Sequence, residues 1–489
     1  MTAQAQMVAV FVVYLVFLMG WGLYQGRKVK TGLDFTIGGR RLPGWVAALS
    51  ERATGESSWA LLGLPGFAYA QGLTSIWTAV GCVAGIVVAW MALSWRLRAE
   101  AETYQARTFA DYLARRHGTL QGGIRAVASL TIVFFFFFYV GAQFLGGGKV
   151  LYTLFHLDPR WGMLVTALII TPYCVYGGFR SVVYTDVVQA LLMIGTLVIG
   201  PVVGIVAISG RPGAFASSIP ASLSEAGAGF GSLTGAAGGF AAGVAIMGGL
   251  SWFFGYLGGM PQLSLRFMAI RDAEQARRAR WVGLVWTLLA YAGALSLGWV
   301  GLALFGPKGL ADPEYVMPAV LRTILPAPLA ALLTVGAVAA MISTADSLLV
   351  VASTELSENL LGPLSGRSQA GEAGSLRQAR LVTGCLAAIA LVVTYLTPST
   401  LIYDLVGYVW AGVGGTFSVV VLATLLSKRF HARAALITIV AGLVFTVVWV
   451  RTGMEELITS RVMTFAVAAT VAATASLLVP PATAAQRVA

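Results

Sequence analysis

The chain reads as an all-α polytopic membrane protein with about thirteen transmembrane helices, and three observations lead there. Of its 489 residues, 58% are hydrophobic and only 11% charged, whereas a soluble domain carries about a quarter charged residues. The mean hydropathy is +0.81. Apolar runs of about twenty residues recur from one end to the other, long enough to cross a bilayer as helices, without the short alternating strands of a transmembrane barrel.

In chain order the spans fall near 5–25, 43–70, 74–97, 124–153, 158–178, 183–209, 237–264, 279–306, 328–360, 378–396, 399–426, 434–450 and 456–480. The first has no basic leader and no small-residue cleavage site, so it reads as a retained span rather than a signal peptide. Residues 210–236, rich in Gly, Ser and Ala, read as a flexible external loop. The proline-bearing stretch 307–327 reads as an external half-helix.

Basic residues collect in alternate loops. Arg27, Lys28, Lys30, Arg40, Arg41, Arg96, Arg98, Arg107, Arg115, Arg116 and Arg125 lie on one side, with Arg266, Arg271, Arg277, Arg278, Arg280, Lys428, Arg429 and Arg433. The other side has only Arg160, Arg211, Lys308, Arg322, Arg451 and Arg461. The chain is expected in the cell (inner) membrane, and this bias places its N-terminus outside and its C-terminus in the cytoplasm. It also accounts for the net charge of +12 without a nucleic-acid partner. Cys82, Cys174 and Cys385 fall within spans, so no disulfide framework is implied. His117, His156 and His431 are scattered outside the spans and assemble no metal or catalytic cluster. With no nucleotide loop either, an enzyme is not expected.

The second span is the most informative. Its middle reads Ser50-Glu51-Arg52-Ala53-Thr54-Gly55-Glu56-Ser57-Ser58-Trp59. Charges at bilayer depth are costly and kept for function, and Gly55 among Ser and Thr weakens the helix there. Interrupted hydrophobic helices mark transporter binding sites, where unwound backbone offers carbonyl oxygens to an ion. Glu51, Arg52 and Glu56 form a candidate intramembrane charge network. Arg52 is expected to neutralise internal acids, Glu56 lying one turn on; the alternative is that it clamps a substrate carboxylate. The seventh span is likewise interrupted, by Gly248-Gly249, Gly255 and Gly258-Gly259 followed by Pro261. Gly239 and Gly243 are expected only to allow close helix packing. Five spans separate the two interruptions, so each would open a five-helix repeat of opposite topology. A single transporter domain then divides into an extra first span and loop (1–42), a first repeat (43–236), a second repeat (237–427) and two C-terminal spans (428–489).

In the ninth span Ala340, Ser343, Thr344 and Ser347 follow i, i+3, i+4, i+7 spacing and share one face. Adjacent hydroxyls with a freed carbonyl suit a hard monovalent cation such as sodium, which prefers oxygen ligands.

The whole chain resembles the sodium:solute symporter family, most closely its sodium/proline branch. The residues that carry the resemblance are Asp34-Phe35-Thr36-Ile37-Gly38-Gly39-Arg40, Ala48-Leu49-Ser50, Leu62-Gly63-Leu64-Pro65-Gly66 and Thr108-Phe109-Ala110-Asp111-Tyr112. Gly177-Gly178-Phe179, Thr185-Asp186, Arg266-Phe267-Met268-Ala269 and Ser343-Thr344 continue it in family order. The resemblance implies the inverted-repeat fold of the leucine transporter and alternating access driven by a sodium gradient. It implies a sodium site built from the carbonyls of Ala53, Glu56 and Ala340 and the hydroxyls of Ser343 and Thr344. Asp186, with Asp346 and Ser347, is the candidate second sodium or coupling site. Ser57, Trp59, Tyr139, Gln143, Trp252 and Tyr256 are the candidate substrate residues. The proline branch has an aspartate at the position of Gly55, and Glu56 is expected to take over its attraction for sodium. The expected partners are a small solute, best guess proline or a similar small amino acid, and the lipid bilayer, with no obligate protein partner. A sugar or small carboxylate is the alternative cargo, and a solute sensor on the same fold the alternative class.

Overall fold

The computed structural model describes residues 2–29, 31–364, 371–397, 399 and 401–482. Lys30 and the end of the C-terminal tail lie outside them. Among the described residues, eleven helices are long and apolar enough to cross a membrane. One of these, Gly44–Thr103, folds back near Gly72, so that Trp90 returns to hydrogen-bond Glu51. A second reversal splits the long helix Pro159–Ile208 at Gly178, where φ is +57°. Its first half runs beside the first span (Ala3–Gly26) in the same direction, and its second half runs back, pairing Ser181 with Gly22 and Tyr184 with Trp21. Only glycine suits this bend: the backbone is left-handed, and a Cβ would strike the Phe35 ring. With both reversals the described residues make thirteen crossings.

The ninth span, Ala327–Leu356, is the centre of the bundle. Its most apolar window is 94% buried, and it packs on the first, second, fourth, fifth and sixth spans. A helix apolar all round must be enclosed by other helices, and this one carries its few hydroxyls and carboxylates to the molecule's interior.

The two interrupted spans meet at one face of the membrane domain. Leu42, before the second span, donates to the Ala269 carbonyl (3.2 Å) and accepts from the Arg271 amide (2.9 Å). The Arg98 guanidinium clasps the carbonyls of Ile270 and Arg271. At the opposite face the half-helix Val316–Ile324 is preceded by Asp312 and Glu314, both bound to Lys149 at 2.6 Å. Glu314 also caps the helix Ile402–Val409, accepting the Ile402 and Tyr403 amides at 3.0 Å. One face is thus held by backbone hydrogen bonds and the Arg98 side chain, the other by the Lys149 and Glu314 side chains.

Two expectations change. Residues 210–236 are not an unstructured loop: they hold a helix, Ile219–Glu225, and the Phe230 carbonyl accepts the Leu73 amide at 2.9 Å. Gly239 and Gly243 have nothing within 4 Å of where a Cβ would sit, so close packing does not explain them.

Candidate functional site

The second span breaks at Ser57, not at Gly55. Ser57 has φ +52° and ψ −168° inside otherwise helical backbone, while Gly55 stays helical. What Gly55 supplies is room: a Cβ there would lie 3.3 Å from both Arg52 Nη2 and Leu263 Cδ2. The break redirects three backbone groups. Ser58 N–H leaves the helix ladder and donates to Gln143 Oε1 (3.1 Å). Trp59 N–H donates to Ser57 Oγ (3.0 Å). The Thr54 carbonyl accepts from Thr344 Oγ1 on the ninth span (3.0 Å).

That last bond brings the expected sodium residues together. Ala53, Glu56, Ala340, Ser343 and Thr344 are all fully buried, with the Thr344 hydroxyl set against the turn Ala53–Glu56. Ser343 Oγ is turned toward Asp186, donating to Oδ1 at 2.6 Å. The Ser343 and Thr344 hydroxyls and the Thr54 carbonyl are oxygen donors of the kind a hard cation takes, while the Glu56 carbonyl accepts the Trp59 amide.

Around Asp186 lies a network whose centre the sequence reading misplaced. Arg266, taken as a loop charge, is fully buried on the helix Pro261–Ala269, the second half of the seventh span. It bonds Asp186 Oδ2 (2.8 Å), Ser50 Oγ (2.7 Å), Ser347 Oγ (2.6 Å) and the Gln262 carbonyl (2.7 Å). Ser50 also donates to Asp186 at 2.5 Å. Thr54 Oγ1 lies 3.0 Å from Ser347 Oγ. Asp346 is buried beside this cluster, 3.3 Å from Ser347 Oγ. The candidate coupling residues therefore converge, and Arg266, Ser50 and Thr54 join them. Arg266 stood within a motif that carried the resemblance, but its position at the end of an apolar run favoured a loop.

On the other side of the second span, Glu51, Arg52 and Glu56 form one closed set. Arg52 bonds both Glu51 oxygens, Nε to Oε2 at 2.6 Å, and its Nη1 meets Glu56 Oε1 at 2.8 Å. Trp90 Nε1 donates to Glu51 Oε2 (3.0 Å), and Thr287 Oγ1 lies 3.4 Å from Arg52 Nη1. Arg52 thus pairs with acids of its own helix.

Above the break the aromatic residues gather. The seventh span unwinds from the helix Gly239–Leu250 into a tighter turn, Ser251–Tyr256, carrying Trp252 and Tyr256 inward. The Trp59 and Trp252 ring centroids are 4.5 Å apart, Trp59 and Tyr291 6.0 Å, and Trp252 and Tyr403 5.4 Å. Tyr256 and Tyr291 share a 2.9 Å hydroxyl contact. Trp410 Nε1 donates to the Trp252 carbonyl (2.9 Å), and its indole fills the space over Gly255. Tyr139 and Gln143 approach from the fourth span, Gln121–Phe155, Gln143 also donating to the Tyr139 carbonyl. All six candidate substrate residues therefore surround one break. Tyr291, Tyr403 and Trp410 were not singled out from the sequence, because each stands among other aromatics of its span (Trp281, Trp286 and Trp299; Tyr408 and Phe417) and no local signal says which ring turns inward. Arg461, expected in a loop, is buried over the Trp252 ring at 4.7 Å and bonds Ser251 Oγ at 2.9 Å.

Several buried polar atoms in this region make no hydrogen bond: Glu56 Oε2, Ser58 Oγ, Trp59 Nε1 and the Tyr139 hydroxyl. A buried polar group without a partner costs about 1–3 kcal/mol, and four such atoms stand around this one helix break.

Comparison with known proteins bears on the same residues. The profile of the sodium:solute symporter family matches residues 35–442. The osmoregulated proline transporter OpuE of Bacillus subtilis is 30% identical over 449 residues, covering 91% of this chain and 88% of that protein. A sodium/proline symporter of Staphylococcus aureus is 30% identical over 460 residues, 92% of this chain and 86% of that protein. Among solved structures, a Na+-coupled sialic acid symporter in a substrate-bound outward-open state aligns with a TM-score of 0.80 at 20% identity, over 98% of this chain and 99% of that one. A nucleobase-cation-symport-1 family transporter in a closed conformation aligns at 0.56 with 13% identity, over 92% and 96%. These two likenesses fix the fold as the leucine-transporter type.

Proposed function

The chain belongs to the sodium:solute symporter family and is a sodium-coupled secondary transporter of the membrane, not an enzyme; we propose that its cargo is proline or a closely similar small amino acid. The observation that carries this reading is the box of Trp59, Trp252, Tyr256, Tyr291 and Tyr403 rings at the Ser57 break, lined by unpartnered buried donors. Ring faces suit a small apolar body, and free donors suit a carboxylate. The relatives named for proline transport add to it.

Sodium takes the carbonyls of Ala53, Glu56 and Ala340 with the hydroxyls of Ser343 and Thr344. Thr344 then exchanges the Thr54 carbonyl for the ion, and Ser343 releases Asp186. Because these ligands belong to the second and ninth spans, the ion clamps one repeat to the other. Substrate binding at the same break then depends on that clamp, and Asp186, Asp346 and Ser347 form the second coupling site. In this reading residues 43–236 and 237–427 are the two repeats, the N-terminus lies outside and the C-terminus in the cytoplasm.

Uptake of labelled proline into proteoliposomes, with and without an inward sodium gradient, tests the function. Sodium-dependent accumulation, weakened by Trp252→Ala through a raised half-saturating proline concentration, is the expected result. Accumulation of a sugar or simple carboxylate instead of proline would refute the cargo. For orientation, a cysteine at exposed Ser217 should label from outside intact cells, and one at exposed Glu274 should not.

A further inference from the structure

We propose that the Glu56 side chain is the specificity residue for the cargo's cationic nitrogen, and that Arg52 holds it in place rather than binding substrate. The inference rests on the transporter reading above and deepens it. Glu51, Arg52 and Glu56 are buried to 0–1% exposure and together carry two negative charges against one positive. Arg52 distributes its contacts unevenly. Both Glu51 oxygens are engaged, Oε2 twice, by Arg52 Nε and by Trp90 Nε1. Glu56 is held by one oxygen only, Oε1 to Arg52 Nη1 at 2.8 Å. Its Oε2 is buried with no donor at full hydrogen-bond geometry among the described residues; the Tyr291 hydroxyl is in reach of the carboxyl but is shared with the Tyr256 hydroxyl at 2.9 Å. Tyr291 in turn stands at the wall of the aromatic box, its ring 6.0 Å from Trp59.

A buried carboxylate oxygen accepts and cannot donate, and its excess charge calls for a cation. The aromatic faces beside it favour the same charge. The other unpartnered atoms are of the opposite kind. Trp59 Nε1 can only donate, and the Ser58 and Tyr139 hydroxyls are free to donate. Glu56 precedes the Ser57 break, and Ser58 and Trp59 follow it. The unsatisfied set is therefore divided along the chain into an acceptor on one side and donors on the other. It is the complement of a zwitterion, with ammonium toward Glu56 and carboxylate toward Ser58, Trp59 and Tyr139. Charge makes this end selective: a site built for an N–H rejects an isostere lacking it far more strongly than it rejects a change in size.

The test compares ligands differing only at that nitrogen: L-proline and its ring-oxygen analogue, tetrahydrofuran-2-carboxylate. Binding is followed by tryptophan fluorescence of the full chain at saturating sodium, beside a panel of other amino acids, quaternary amines, sugars and carboxylates. Wild type should favour proline by about 100-fold or more. Glu56→Gln should shrink that preference to within about 5-fold at saturating sodium. Glu51→Gln removes a charge from the same cluster but no free oxygen, and should keep the preference. Proline binding with an undiminished preference in Glu56→Gln, or a variant altered only in its sodium response, overturns the proposal and leaves the proline reading intact. Binding of another cationic member of the panel but not proline, lost in Glu56→Gln, sinks proline as cargo and upholds the role of Glu56. Binding of no cationic member overturns it. Should Glu56→Gln not fold, Glu56→Asp withdraws the oxygen by one methylene. Weakened proline binding with unchanged binding of the ether acid then supports the proposal, and parallel weakening defeats it.

Discussion

Arg52 and Arg266 are both fully buried in the membrane domain, on opposite sides of the second span, and they find their counter-charges in different ways. Arg52 is neutralised by its own helix, through Glu51 next to it and Glu56 one turn on. Arg266 is neutralised across the bundle, by Asp186 eighty residues earlier, with hydroxyls of Ser50 and Ser347. The first cluster forms with its helix and travels with it as a unit. The second exists only when the sixth, second, ninth and seventh spans are in register, so it reports the relative position of the repeats. One cluster thus belongs to a rigid element and the other to the contact between moving ones.

The largest effect expected is from Arg52→Ala, which strands two carboxylates. Folded yield by size-exclusion should collapse, breaking a buried pair costing about 3–5 kcal/mol. A well-folded Arg52→Ala protein that loses only carboxylate-bearing cargo would break the comparison and make Arg52 a substrate residue. Arg266→Ala should destabilise less, since Asp186 keeps Ser50 and Ser343 as donors. Adding Asp186→Ala should restore much of the folded yield, as apolar replacement of a whole buried pair is often neutral. Transport by the double variant should stay low if this cluster registers the repeats.

Thr344→Ala acts on function with little effect on stability. It removes a hydroxyl that now closes the Thr54 carbonyl, and the sodium concentration for half-maximal uptake should rise by about 10-fold, equivalent to about 1.4 kcal/mol. An unchanged sodium response would place the ion elsewhere. The smallest effect is from Gly55→Ala. Its Cβ would press on Arg52 Nη2 and Leu263 at 3.3 Å, a displacement of a few tenths of an ångström at most. A loss of about 1 kcal/mol in thermal unfolding is expected, and a larger loss would show that the Arg52 cluster has no slack.

Much of this protein was written locally. The thirteen crossings follow from apolar length, which must match the bilayer whatever the helices pack against. The i, i+4 partnership of Arg52 and Glu56 follows from helical rise, and the oxygen stripe of the ninth span from its period. The two interrupted spans were visible because Ser, Thr and Gly runs disturb an apolar helix. Tertiary structure decided the rest. The break sits at Ser57 rather than Gly55 because Gln143 on the fourth span and Thr344 on the ninth accept and donate what the broken ladder leaves free. Arg266 is an internal charge rather than a loop charge because Asp186 lies opposite it, a pairing across eighty residues that no local period encodes. The aromatic box draws Trp59, Trp252, Tyr291, Tyr403 and Trp410 from four different spans. A helix's length and its own faces are properties of a short window of sequence. Which face meets which partner depends on how distant helices pack, and in a membrane, where hydrophobicity alone does not drive helices together, small residues and polar bonds between helices make that choice.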